Sequence, residues 1–263
     1  MSASEHRVFV RLHGSPDRPT LIYLPGIHGD WTLIASFRKA LGGEVRFVEI
    51  TYPRAADWTL AEYADGIESA LLTAGVTRGW ILGESFGSQP AWELIRRQQT
   101  GGSQARYQGL ILAGGFAKHP WSWGARFLRT VTANIPRGLL RMLLAGYAQY
   151  ARFRHRHAPE TLADMTEFVE NRLHPDDPAA MMQRYTIIIE NDLRPVARNM
   201  ELPVYQLTGM LDPIVPWPLT APWLRQNCPS VKDSRVIRTA DHNVLATEPV
   251  KSARLILSWM QSA

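Results

Sequence analysis

Short apolar runs and amphipathic stretches alternate along most of the chain. Residues 7–12, 20–24, 46–50, 79–82, 110–113, 204–208 and 234–238 are rich in Val, Ile, Leu, Phe and Tyr and are expected as strands. Between them, residues 33–41, 60–73, 86–97 and 250–260 repeat apolar positions every three or four residues, as core-facing helices do. Strand and helix in alternation predict βαβ units and a mostly parallel sheet. The alternation breaks once. From about residue 117 to 200 only the short run 186–189 reads as a strand, and helical patterns dominate. Within that stretch Leu139, Leu140, Leu143, Leu144, Tyr147 and Tyr150 fall on one helical face, and Arg137, Arg141, Ala145, Ala148 and Arg152 on the other. The pattern predicts an α/β core made of residues 1–116 and 201–263, interrupted by a helical cap over residues 117–200. No internal repeat or low-complexity tract is present.

Size and composition narrow the picture. A chain of 263 residues suits one large α/β domain, and no apolar stretch reaches the roughly 18 residues that a membrane-spanning helix needs, so an integral membrane protein is not expected. Glu5, His6 and Arg7 stand where a secretory signal would need an apolar run, so a cytoplasmic protein is expected. The single cysteine, Cys228, excludes an internal disulfide and cysteine-based metal clusters, and is expected as a small filler near the surface. The net charge of +5 is segregated. Between Glu93 and Glu160 there are eleven Lys or Arg and no acid, which leaves 18 basic and 24 acidic residues elsewhere. An ordinary solvated basic face explains this, as does a surface for an anionic carrier protein or for anionic lipid. Nucleic acid is not expected, because no recognised binding module accompanies the charge.

The chemistry centres on Gly83-Glu84-Ser85-Phe86-Gly87, between a strand and an amphipathic helix. A sharp strand-to-helix turn exposes its central side chain above the sheet edge and tolerates only small residues two positions to either side. Phe86 then offers a backbone N–H at the start of the helix, where a developing oxyanion is favoured. Pro90 is an oddity, since a helix beginning at Phe86 places it just beyond the positions that need no N–H. A serine nucleophile needs a base and a group that orients the base. His242 lies between the last strand and the last helix and can reach the same sheet edge. Asp212 follows strand 204–208 and is the expected orienting carboxylate, although Asp-Pro capping a turn explains it equally well. Asp241 projects differently from its neighbour His242, and Asp233 is expected before its strand, at the opposite edge. His6, His13, His155, His157 and His174 are expected on the surface, whereas His28 and His119 follow strands and could line a pocket.

Taken together these residues resemble an α/β-hydrolase from residue 20 onward, with nucleophile, acid and histidine in the order Ser85, Asp212, His242. The family's early oxyanion loop, His-Gly-x-x-Gly, is matched by Pro25-Gly26-Ile27-His28-Gly29, with Pro25 in place of the histidine; the register His28-Gly29 lies three residues further from the strand. The resemblance implies a parallel sheet flanked by helices, a cap inserted after the sixth strand, oxyanion donors at the Ile27 and Phe86 amides, and no cofactor or metal. It implies a serine esterase acting on a small or medium acyl ester. Carrier-protein- or CoA-linked esters and thioesters, carbon–carbon bonds and lactones remain open on the same residues, as does a catalytically silent member that binds a ligand. Trp121, Trp123, Phe127, Leu128, Leu139, Leu143 and Leu144 suggest an apolar roof over the substrate, with Trp121 and Trp123 as pocket residues, although packing within the cap accounts for such side chains too.

Overall fold

The computed structural model describes residues 7–154, 156, 159–171 and 174–262. Its seven strands are β1 (Phe9–His13), β2 (Thr20–Leu24), β3 (Arg46–Thr51), β4 (Arg78–Glu84), β5 (Arg106–Ala113), β6 (Val204–Gly209) and β7 (Val231–Ile237). They form one sheet in the order β1-β3-β2-β4-β5-β6-β7, parallel throughout except for the antiparallel edge strand β1. The core helices are α1 (Ala35–Ala40), α2 (Leu60–Thr73) and α3 (Ser88–Gln99). Strand period decides what each layer buries. Ile22 and Leu24 join Val48, Ile50 and Ile81 against Ile67 of α2 and Trp92 of α3, while Leu21 and Tyr23 join Phe47 and Trp80 on the opposite face against Phe37 of α1. The second layer is completed near the C-terminus, as described below. A capping box starts α2: Thr59 Oγ1 accepts the Glu62 amide at 3.3 Å and Glu62 Oε2 accepts the Thr59 amide at 2.6 Å.

Among the described residues five helices lie between β5 and β6: α4 (Ser122–Asn134), α5 (Arg137–Arg154), α6 (Pro159–Asn171), α7 (Asp177–Glu190) and α8 (Arg194–Arg198). Residues 186–189, expected as a strand, are the last turns of α7. A run of three isoleucines satisfies either period, and packing decides here: Ile187 and Ile188 are buried in a helix that lies along α4. Counted along this chain, the helices follow the fifth strand rather than the sixth, because only β1 precedes β2. The fold closes with α9 (Trp217–Asn227), α10 (Val244–Thr247) and α11 (Pro249–Ser262), whose Ile256 and Trp259 pack on the α1 face. Cys228, expected near the surface, is buried behind α9 at 2% exposure, and burial pushes its thiol pKa up.

Among the described residues Trp92 is the largest fully buried side chain. Trp92→Ala is expected to cost about 3–5 kcal/mol, read as a lower urea midpoint at an unchanged slope.

Candidate active site

The strand order reverses around β2, which has β3 on one side and β4 on the other. The chain leaving β2 passes to α1 on one face and the chain leaving β4 passes to α3 on the other, so a crevice opens at the carboxyl ends of these two strands, where open α/β sheets bind ligands. β4 ends in a single 3₁₀ turn, Ser85–Gly87, before α3 begins. Ser85 has φ +51°, a left-handed conformation that costs a non-glycine residue energy and stands its side chain out of the turn. A Cβ on Gly87 would lie 2.1 Å from the Leu24 carbonyl oxygen, and one on Gly83 would lie 3.0 Å from the Gly87 carbonyl oxygen. Because α3 starts at Ser88, Pro90 falls in its first turn, where a missing N–H costs nothing. The Ser88 hydroxyl donates to the Ser85 carbonyl at 2.6 Å and accepts the Phe116 amide at 3.1 Å, tying the turn to the segment after β5.

Asp212 follows β6 and His242 follows β7, and the two meet Ser85 in one row. His242 Nε2 is 2.8 Å from Ser85 Oγ, and His242 Nδ1 is 2.7 Å from Asp212 Oδ2. The other Asp212 oxygen accepts the Ile214 and Val215 amides at 2.8 and 2.9 Å, so the carboxylate is fixed from both sides and its side chain has no solvent exposure. Burial is the largest influence on His242 and opposes its charged form. The hydrogen bond and charge of Asp212, with the charges of Glu84 and Asp241, outweigh it, and the imidazole pKa is raised. Asp241 bonds the Asn243 amide instead of the imidazole. Asp233, expected before its strand, sits within β7 and accepts bonds from Arg235 and Trp259, because β7 begins at Val231. His13 pairs with Glu49, and His174 lies 3.8 Å from Asp176. His6, His155 and His157, and the side chains of Arg137 and Arg154, lie outside the described residues.

Ser85 and His242 open on a cavity of about 150 Å³. His28 lines it and meets the Phe168 ring edge-on at 4.7 Å. His119 lines it too; burial lowers its pKa, and its Nδ1 accepts the Trp121 amide at 3.2 Å. From α4 the wall is Ala125 and Leu128. Trp121 and Trp123, expected in the pocket, stack on each other outside this lining with centroids 6.0 Å apart, and Trp123 is 68% exposed. The helical period that turns Leu128 inward turns Trp123 out.

At the site, two buried ionisable residues, Glu84 and Arg184, were not anticipated from the sequence. Glu84, the residue before Ser85, lines the cavity and accepts the Tyr23 hydroxyl at 2.5 Å. Burial raises its carboxyl pKa, against the opposing effects of Tyr23 and His242. Its place inside the glycine–serine motif was the available signal. Arg184 of α7 is 1% exposed and lies over the Tyr52 and Tyr63 rings. It donates to the Ile27 carbonyl at 2.8 Å, the Pro53 carbonyl at 2.9 Å and the Tyr63 hydroxyl at 3.0 Å. It thereby clamps the turn Gly26–Gly29, closed by the Gly29 amide on the Gly26 carbonyl at 2.9 Å; a Cβ on Gly29 would strike the guanidinium at 2.5 Å. Among the described residues no acceptor takes the Ile27 amide. Nothing in the sequence around Arg184 distinguishes it from the other basic residues of the helical segment.

No protein-family model matches the chain, and no curated protein matches it in sequence. Its fold is similar to those of many solved structures. A thermophilic esterase from Thermogutta terrifontis, solved with malate bound, matches with a TM-score of 0.76 at 18% identity, over 97% of this chain and 93% of that one. An esterase from Exiguobacterium antarcticum matches at 0.75 and 15% identity, over 97% and 94%. The enol-lactonase from Burkholderia xenovorans matches at 0.73 and 16% identity, over 97% and 96%. The chain has the α/β-hydrolase fold.

Arg184→Met leaves the buried Pro53 carbonyl, the part-buried Ile27 carbonyl and the Tyr63 phenol without this donor. It is expected to lower stability by about 3 kcal/mol or more in urea unfolding, with Arg184→Lys falling between it and the wild type because an ammonium cannot span all three acceptors.

Proposed function

We propose that the protein is a serine hydrolase that cleaves a carboxylic ester with a small acyl group. The observation that carries this reading is the unbroken row from Asp212 through His242 to Ser85, ending on a strained serine at a cavity. Ser85 Oγ attacks the ester carbonyl while His242 Nε2 takes its proton, and Asp212 holds Nδ1–H and stabilises the imidazolium. The amides of Ile27 and Phe86 receive the oxyanion, and the Arg184 bond to the Ile27 carbonyl keeps that turn in place. His242 returns the proton to the departing alcohol; water then enters by the same route and releases the acid and free Ser85. A lactone is a cyclic ester and is opened by the same steps.

In this reading residues 117–200 act as a cap that sets the acyl group. Ala125, Leu128, Phe168, Tyr185 and Ile188 come from that segment and wall the cavity. A volume of about 150 Å³ is that of a cavity holding a benzene-sized ligand, which supports short acyl groups over long chains.

Wild-type protein is expected to be labelled covalently by a fluorophosphonate and to hydrolyse p-nitrophenyl acetate and butyrate, with both signals lost in Ser85→Ala; an unlabelled wild type would falsify the reading. Rates are expected to fall steeply as the acyl chain lengthens. Because the base must be neutral and its pKa is raised, kcat/KM is expected to rise with pH through an inflection above the usual histidine value of about 6.5. Asp212→Asn removes the main raising influence, so the inflection moves down and turnover drops by about 10⁴.

A further inference from the structure

We propose that Phe116 and His119 form a wall on the alcohol side of the catalytic cavity, which shuts it off from a larger apolar cleft and so limits the size of the departing alcohol. The inference rests on the hydrolase reading of Ser85. Beside the catalytic cavity of about 150 Å³ lies a second space of about 400 Å³, and among the described residues Phe116 and His119 are the two that line both. They are 3% and 7% exposed, and their rings meet edge to face with centroids 5.0 Å apart. The segment that carries them is tied down along its length. The Phe116 carbonyl accepts the Gln89 side-chain amide of α3 at 3.2 Å, and the Ala117 carbonyl accepts the Leu193 amide at 3.1 Å. His119 Nδ1 in turn takes the Trp121 amide, so the imidazole is held in place across the opening.

The place of the wall selects the arm of the ester that meets it. His242 Nε2 hands its proton to the departing oxygen, so the alcohol leaves from the His242 end of the cavity. The segment begins at that end: a Cβ on Gly114 would lie 3.4 Å from His242 Nδ1, and the charges of both His242 and Asp212 reach His119. The opposite walls, Leu128, Phe168 and Ile188, are left for the acyl group. Behind His119 the cleft is lined by Leu112, Leu219, Trp223 and Leu224. Its two cations already have partners: Lys118 Nζ donates to the Ile189 and Asn191 carbonyls at 2.8 Å each, and Arg194 bonds Asp192. An unbranched alkyl chain is therefore the arm that suits this space. Phe116 belongs to the core around Trp92, which leaves position 119 as the place where the wall can be cut down without cutting into that core.

The test is the ratio of kcat/KM on octyl acetate to that on ethyl acetate, because a ratio does not depend on the fraction of enzyme that is folded. His119→Ala and His119→Ser are each expected to raise it by about tenfold or more, the worth of two buried methylenes at roughly fourfold each. His119→Phe, which keeps the bulk and loses the Trp121 bond, is expected to keep the wild-type ratio. Leu219 is 47% exposed at the rim of the cleft, and Leu219→Trp, added to His119→Ala to fill that space, is expected to reverse the gain. In titration calorimetry without turnover, n-octanol is expected to bind Ser85→Ala/His119→Ala more tightly than Ser85→Ala. The proposal is overturned by a ratio that neither small side chain moves, or by a gain that Leu219→Trp leaves intact, which puts the new room inside the catalytic cavity. A gain on ethyl octanoate in place of octyl acetate assigns the wall to the acyl side and overturns it too. If the wild type cleaves none of these esters while octanol binding still tightens with His119→Ala, the hydrolase reading falls and the partition stands; equal octanol binding in the two backgrounds overturns the partition whatever the turnover.

Discussion

Gly87 and the Leu24 carbonyl meet at a distance that no side chain survives, and this contact holds together the two turns on which the rest of the site depends. It seats the turn after β4 against the turn after β2 at the place where the strand order reverses. Beside that approach Ser85 adopts its left-handed conformation and lines the cavity, and a Cβ added at Gly26 would meet the Ser85 Cβ at 3.4 Å. The loops after β6 and β7 bring Asp212 and His242 to the same edge, because all four strands run parallel and present their carboxyl ends together. The row of two hydrogen bonds is therefore a product of strand direction as much as of side-chain identity.

The electrostatics of the cavity follow from burial. Three carboxylates, those of Asp212, Glu84 and Asp241, surround one imidazole, and only Asp212 bonds it. Burial works against the imidazolium, and the combined carboxylates overcome that penalty. On the other side, the Arg184 guanidinium is satisfied by carbonyls, a phenol and two ring faces rather than by an acid. Its charge thus stays unneutralised close to the turn proposed to receive an oxyanion. Since Arg184 belongs to α7, the helices between β5 and β6 are coupled to the core through the same turn that the chemistry uses.

Those helices show how a single pattern can serve two surfaces. Five of the Leu and Tyr residues grouped on one face of α5 by periodicity are shared between inside and outside: Leu140, Leu144 and Tyr147 pack inward, while Leu139 and Leu143 stay in solvent. Periodicity reports which residues share a side of a helix, but not where a neighbouring helix stops covering it. None of the described helices is long and apolar enough to cross a membrane.

Much of the core was legible in the chain itself. Strand and helix periods placed seven strands and the helix after residue 60, with β5 and β7 beginning four and three residues before their expected starts, because apolar repetition and the Thr59–Glu62 cap are local features. Local chemistry also singled out Ser85, Asp212 and His242, since strand-end position and residue type are written in sequence. The short isoleucine run of α7 was misread because strand and helix periods coincide over four residues. Arg184, Glu84 and the exposure of Trp123 were decided by tertiary structure alone. Each depends on which distant segment arrives beside it: Arg184 on Ile27, 157 residues away, and Glu84 on Tyr23, 61 away. The sequence by itself determined the order of elements and the residue types available for chemistry. Folding decided which charges lost water, and burial is a property of neighbours rather than of the residue that is buried.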